Sequence, residues 1–127
     1  MPSLLQRVST TYLPVANPTK SSDWYQRVLG AEESFADENK ATIHLANQRF
    51  SLVRAKLEER ANFLDYRGKE RFSLSFEVNN EEELVTLRNN LSKKRVPVGE
   101  IKHLSTSECT FVFYDLDGNA FNVRSQT

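Results

Sequence analysis

Cysteine is nearly missing from this chain. Cys109 stands alone among 127 residues, which excludes an intrachain disulfide, a zinc site built from several cysteines and an iron–sulfur centre. Only four glycines occur; none forms a Gly-rich phosphate loop, and no serine sits in a nucleophile elbow. Apolar runs stay far short of the ~20 residues a membrane span needs, and the N-terminus has no apolar signal-peptide core. An excess of either charge is also lacking. Lys plus Arg and Asp plus Glu are 17 each, for a formal net charge of zero, so a general nucleic-acid or anionic-membrane surface loses its electrostatic motive. Histidine is limited to His44 and His103.

What remains is modest in apolar content but rich in large rings. Hydrophobic residues make up 39% and charged residues 27%, with eight Phe, four Tyr and one Trp. Those rings bury large areas each, and a chain of this length is expected to form one domain around a single core. The expectation is a cytoplasmic domain of mixed α and β structure.

Residues 8–15 are rich in Val, Thr, Tyr and Leu without helical spacing and predict a strand. Asn17-Pro18 supplies an N-cap and a proline at the first helical turn. Trp24, Val28 and Leu29 recur at helical spacing until Gly30 stops the helix. Two strands follow over 41–46 and 49–54, with the turn at Asn47-Gln48. Nine of the seventeen residues 55–71 are charged, which predicts a solvated, mobile connector with a helical turn. Phe72, Leu74, Phe76 and Val78 then alternate with Ser73, Ser75 and Glu77 as a half-buried strand. Asn80 and Glu83 form a capping box, Leu84, Leu87 and Leu91 an apolar stripe, and Lys93-Lys94-Arg95 suit the helix end. Thr110–Tyr114 and Ala120–Arg124 close the chain as a hairpin around Asp115-Leu116-Asp117-Gly118-Asn119. Read as a calcium loop, that turn lacks the rest of an EF-hand's spacing.

An offset of 63 residues lays one half on the other: Val15 on Val78, Asn17 on Asn80, Trp24 on Leu87 and Val28 on Leu91. Strand, Asn cap and helix recur in the same order, as in a duplicated unit.

The segment from Val15 through Asn17-Pro18, Lys20-Ser21 and Trp24-Tyr25 to Val28-Leu29-Gly30 resembles the opening of a vicinal oxygen chelate domain. That superfamily holds glyoxalase I, bleomycin-resistance proteins, fosfomycin-resistance enzymes and extradiol dioxygenases. The C-terminal run from Phe113 through Asp115-Leu116-Asp117-Gly118-Asn119 to Val123 resembles the family's closing hairpin, with Leu116 where a proline is usual. The resemblance spans about Val8 to about Arg124. It implies an α+β fold of two βαβββ modules, about 6–55 and 72–125, whose sheet curls around a cleft with the helices outside.

In metal-dependent members of that family, the ligands are His, Gln or Glu on the first strand of each module and Glu on the last. Counted along this chain, those positions fall on Thr10, Ser51, Ser73 and Asn122. Neutral hydroxyls and an amide do not replace imidazole and carboxylate for a borderline cation, so neither a metal nor another cofactor is expected. By strand parity Tyr12 shares a face with Thr10, Ser75 and Glu77 with Ser73, and Arg124 with Asn122. With Tyr114, these residues could hold a polar organic ligand through a few directional groups, and Glu77 could serve acid–base chemistry without metal.

The remaining chemistry-bearing residues read as structural. His44 reads as an exposed or hydrogen-bonded strand residue, His103 as part of a surface loop, and Cys109 as a small core residue. Trp24 and Tyr25 read as packing on the back of the sheet. The expected function is a metal-free small-molecule binding protein, resembling bleomycin-resistance proteins, that works as a homodimer with neither nucleic acid nor membrane as a partner. The alternative is a metal-dependent lyase, isomerase or dioxygenase of the glyoxalase type with an atypical site, and a third reading is a regulatory module with a filled cleft.

Overall fold

Asn17 ends the first strand and starts the first helix. In the computed structural model, which describes residues 3–125, strand β1 (Thr10–Val15) leads into Asn17, whose side-chain oxygen accepts the Lys20 amide at 3.2 Å. Helix α1 (Pro18–Leu29) has the proline in its first turn and ends at Gly30, whose φ of 75° lets its amide reach the Gln26 carbonyl at 3.2 Å. Both helix ends therefore satisfy backbone groups that would otherwise be orphaned.

Three antiparallel strands follow: β2 (Glu32–Ala36), β3 (Lys40–Leu45) and β4 (Gln48–Arg54). The sheet runs β1-β4-β3-β2, and its edge strand β1 pairs in parallel with β4. Leu13, Val15, Ala41, Ile43, Phe50 and Leu52 are buried on one side of this sheet, and α1 packs against β2, β3 and β4. Trp24 and Tyr25 are buried edge to face, 5.0 Å between ring centroids. The strand over 32–36 was not evident from its residues, because Glu32, Glu33 and Ser34 are exposed and show no apolar alternation. The β3–β4 turn is Ala46-Asn47, one residue earlier than the sequence suggested, with both residues in left-handed conformation at φ 53° and 60°. Two positive φ values in a two-residue loop match the twist of the flanking strands.

The chain divides between Lys56 and Leu57 into two compact units. The second opens with the charged segment, which forms a short ribbon of β5 (Phe63–Leu64) and β6 (Glu70–Arg71) and contains no helical turn. Asp65 holds the tip by accepting the amides of Arg67 and Lys69 at 2.9 and 3.0 Å. These amide bonds, that from Lys69 foremost, keep its carboxyl below the usual aspartate value. Turn chemistry outweighs the high charge in setting local structure here.

The first unit's pattern then repeats as β7 (Leu74–Val78), α2 (Glu81–Lys93), β8 (Lys102–His103), β9 (Cys109–Tyr114) and β10 (Ala120–Ser125). The sheet order is β7-β10-β9-β8, again with the edge strand, here β7, parallel to its neighbour. Asn80 caps α2 by accepting the Glu83 amide at 2.9 Å, while Glu83 accepts the amide of Asn79 at 3.3 Å. Leu84 and Leu91 are buried; Leu87 is half-buried. Phe76, Phe113 and Phe121 form an aromatic cluster with centroids 5.5 to 6.3 Å apart, beside Phe111. Phe72 and Ser73 lie outside β7 and Val8 and Ser9 outside β1, so both first strands are shorter than the alternation implied. His103 sits on an exposed two-residue strand instead of a loop. No helix among the described residues is long and apolar enough to cross a membrane.

Left-handed conformation costs an L-residue roughly 1–2 kcal/mol, less for Asn. Ala46 is exposed, so Ala46→Asn has little to lose in packing. Chemical denaturation is expected to show Ala46→Asn more stable than the parent by about 0.5–1 kcal/mol, with an unchanged denaturant slope.

Candidate functional site

The side of the second sheet away from the aromatic cluster carries polar side chains in rows set by strand register. Ser75, Asn122 and Val112 form one row, and Glu77, Arg124 and Thr110 the next. Tyr114 and Ala120 stand together in the row on the other side of Asn122. Asn122 is 8% exposed and donates its side-chain amide to Ser75 Oγ at 2.9 Å. Arg124 Nη2 pairs with Glu108 Oε1 at 2.9 Å, while Glu77 lies opposite Arg124 and is exposed.

The charged ribbon supplies a wall beside this face. Asn62 locks the ribbon to the closing hairpin: its Oδ1 accepts the Ala120 amide at 2.7 Å, and its Nδ2 donates to the Gly118 carbonyl and to Glu70 Oε2, each at 3.0 Å. Asn119, fully buried, accepts the Ala61 amide at 2.8 Å and donates to Asp115 Oδ2 at 2.9 Å. Glu70 then receives the Tyr114 hydroxyl at 3.1 Å. Burial raises the Tyr114 phenol above its ordinary value of 10.0, and the hydrogen bond to Glu70 and that carboxylate's charge add to the effect. A concavity of about 890 Å³ results, lined by Ser75, Val112, Tyr114, Asn122 and Arg124 from the sheet and by Lys69 to Phe72 from the ribbon. Lys102, Leu104 and Glu100 complete its rim. Four cationic side chains (Lys69, Arg71, Lys102 and Arg124) face two carboxylates (Glu70 and Glu100) in this lining.

Of the residues singled out from sequence, Ser75, Tyr114, Asn122 and Arg124 meet in this concavity. Ser73 does not: it precedes β7 and donates to the Ala61 carbonyl at 2.8 Å. Glu77 shares the face without lining the concavity. In the first unit, Tyr12 stands opposite Ser51, and Thr10 opposite Arg49. Two residues beyond the counted positions Thr10 and Ser73 stand Tyr12 and Ser75. Those are the residues that oppose Ser51 and Asn122. Thr10, Ser51, Ser73 and Asn122 offer only hydroxyls and an amide, and Tyr12 and Ser75 beside them add only a phenol and a hydroxyl. None of these groups has the basicity or charge to hold a borderline divalent cation, so the residues present do not fit the family's metal. His44 is exposed, within hydrogen-bond distance of Ser34 Oγ at 3.2 Å.

Sequence reasoning overlooked Glu70, Arg71, Lys102 and Asn62, which lay in segments read as solvated connector or loop. The available signal was Asn62-Phe63-Leu64, a polar residue before two apolar ones inside a charged run.

The family model described as Glyoxalase/Bleomycin resistance protein/Dioxygenase superfamily matches residues 7–123. Among solved structures, the fosfomycin resistance protein FosX of Listeria monocytogenes aligns with a TM-score of 0.77 at 17% identity, covering 98% of this chain and 96% of that one. A second FosX structure is described as complexed with Mn(II) and sulfate and aligns with a TM-score of 0.75 at 15% identity, over 98% of this chain and 93% of that one. Lactoylglutathione lyase of Agrobacterium tumefaciens aligns with a TM-score of 0.75 at 15% identity, over 97% and 96% of the two chains. Likeness at such identities shows the fold. A search of curated proteins gives no match.

The raised Tyr114 phenol makes the stability of the fold depend on alkaline pH. Because the folded state holds that proton more tightly, its stabilising contribution is complete below the ordinary tyrosine value and is lost as pH rises through and beyond it. Phenolate absorbance compared between the parent and Tyr114→Phe is expected to show the Tyr114 component titrating above 10.0. Glu70→Gln should bring that component down, since it removes the neighbouring charge.

Proposed function

The chain belongs to the Glyoxalase/Bleomycin resistance protein/Dioxygenase superfamily, and we propose that within it the protein is a binding module for a small organic anion, with a binding face that uses no metal. The hydrogen bond from Asn122 to Ser75 at 2.9 Å carries this reading. At Asn122, where the family's pattern calls for a carboxylate, an amide and a neighbouring hydroxyl satisfy each other. They leave a polar face suited to hydrogen bonding with a ligand instead of Lewis-acid activation.

The ligand's charge follows from the lining, where Lys69, Arg71 and Lys102 outnumber Glu70 and Glu100 once Arg124 is set against Glu108. Arg124 offers a planar donor fork for a carboxylate, phosphonate or phosphate group. Tyr114 and Phe72 offer flat apolar contact for the remainder of the molecule. Glu77, opposite Arg124, orients the guanidinium from the sheet side as Glu108 does from the strand end. Tyr12, Thr10 and Ser51 take the corresponding part in the first unit. Ser73 acts indirectly, through its bond to Ala61 in the segment that carries the wall.

We also propose that the protein works as a homodimer in the cytoplasm. Leu57, Phe63, Leu64 and Tyr66 are each more than half exposed on the ribbon segment, an apolar surface that a second subunit would cover. Sedimentation of the full chain is the direct measurement of that state.

The competing reading is a metal-dependent lyase, isomerase or dioxygenase, supported by the manganese in the FosX complex. Two measurements separate them. In a thermal-shift screen of organic carboxylates, phosphonates and phosphate esters, at least one class is expected to give a saturable shift. Asn122→Ala, Glu77→Ala and Arg124→Ala are expected to weaken it tenfold or more, about 1.4 kcal/mol, with the free protein's melting temperature nearly unchanged in the two exposed variants, Glu77→Ala and Arg124→Ala. Manganese and nickel titrations of the parent and Asn122→Ala are expected to coincide. A saturable metal shift abolished by Asn122→Ala would place a cation at the family's position and favour the enzyme.

A further inference from the structure

The helix side of the second sheet carries a group of donors that the binding face does not use. Glu81, His103 and Cys109 place one ligand atom each within 4.8 Å of the others. Three elements bring them together. His103 on β8 stands directly opposite Cys109 on β9, where facing side chains on one side of a sheet are close neighbours. Cys109 alternates with Thr110 and so shares the side of Phe111 and Phe113, away from Asn122 and Arg124. Glu81 is the first residue of α2, which the Asn80 cap holds in place.

The donor chemistry suits one class of ion. A thiolate, an imidazole and a carboxylate form the mixed set that zinc and its first-row neighbours favour, and that magnesium and calcium do not. We propose that Glu81, His103 and Cys109 bind a single zinc-like divalent cation, with water as the fourth ligand. Cys109 is 1% exposed and is the fixed member, its sulfur 3.3 Å from Ser125 Oγ. Glu81 and His103 are exposed. Ligand atoms of a tetrahedral zinc site lie roughly 3.3–3.8 Å apart, from bond lengths near 2.0–2.3 Å. From separations within 4.8 Å the group needs to contract by at most about 1.5 Å, which two exposed side chains accomplish by changing rotamer. Binding converts the thiol to a metal thiolate and releases its proton to solvent, so affinity rises with pH. The cation would tie the start of α2 to β8 and β9, and with three protein ligands its fourth position stays open.

Cobalt(II) added to the chelator-treated full chain tests this, because a cobalt–thiolate bond absorbs in the near ultraviolet and d–d bands report tetrahedral geometry. One equivalent is expected to produce both, and one equivalent of zinc to remove them by competition. His103→Ala, an exposed change that leaves the fold intact by circular dichroism, is expected to weaken binding at least tenfold. Cys109→Ser should abolish the charge-transfer band, and Glu81→Gln should weaken binding. His44→Ala should leave the spectrum unchanged. Absence of the band at excess cobalt, or binding of equal strength in His103→Ala, would overturn the assignment.

Discussion

Each unit depends on a parallel pairing between its first and last strands. β1 lies beside β4 and β7 beside β10, although each pair is separated in sequence by a helix and two further strands. Parallel neighbours cannot be joined by a tight turn and need a long crossover. The helix supplies the first part of that path and is carried onto one side of the sheet, where the aromatic and aliphatic core forms. The other side of the sheet is left for polar residues. Had the last strand paired antiparallel with the first, Asn122 would not stand beside Ser75, and the polar rows would not exist in this order.

The second constraint is the stitching of the charged segment onto the closing hairpin. Asn62 and Asn119 together take up backbone groups of Ala61, Gly118 and Ala120. Buried polar groups are stable only when paired, and a fully satisfied network is rigid. That rigidity turns a run of lysines, arginines and glutamates into a wall with defined positions. Glu70 is thereby held against Tyr114, and a segment with little apolar content of its own becomes part of the site. The two faces of the second sheet consequently offer different chemistry: neutral hydrogen bonding and cationic charge on one, a thiol, imidazole and carboxylate at one end of the other.

Much of the fold was legible locally. Asn17-Pro18 and Gly30 bound the first helix, Asn80 caps the second, and Asp115 to Asn119 makes the last turn, because each depends on neighbours within a few residues. The resemblance to the glyoxalase and bleomycin-resistance family rested on those same segments, and its expected α+β modules are present. Less visible were β2, which is mostly exposed, and the turn at Ala46-Asn47, where alanine in left-handed conformation contradicts residue preference. The ribbon in the connector escaped notice because its strands are two residues each.

The types of residue on the polar face were determined by the sequence alone, since a strand's period of two assigns every second residue to one side. Alternation does not determine register. A slip of two residues preserves the face and moves every partner, so Ser73 and Ser75 were equivalent until β10 was seen to pair Asn122 with Ser75. The same holds for Thr10 and Tyr12. Which groups meet across 47 residues of chain, which charged loop closes over them, and that Cys109 finds His103 and Glu81 were decided by long-range packing. Those choices depend on burial and hydrogen bonds between segments remote in sequence, which local patterns do not encode.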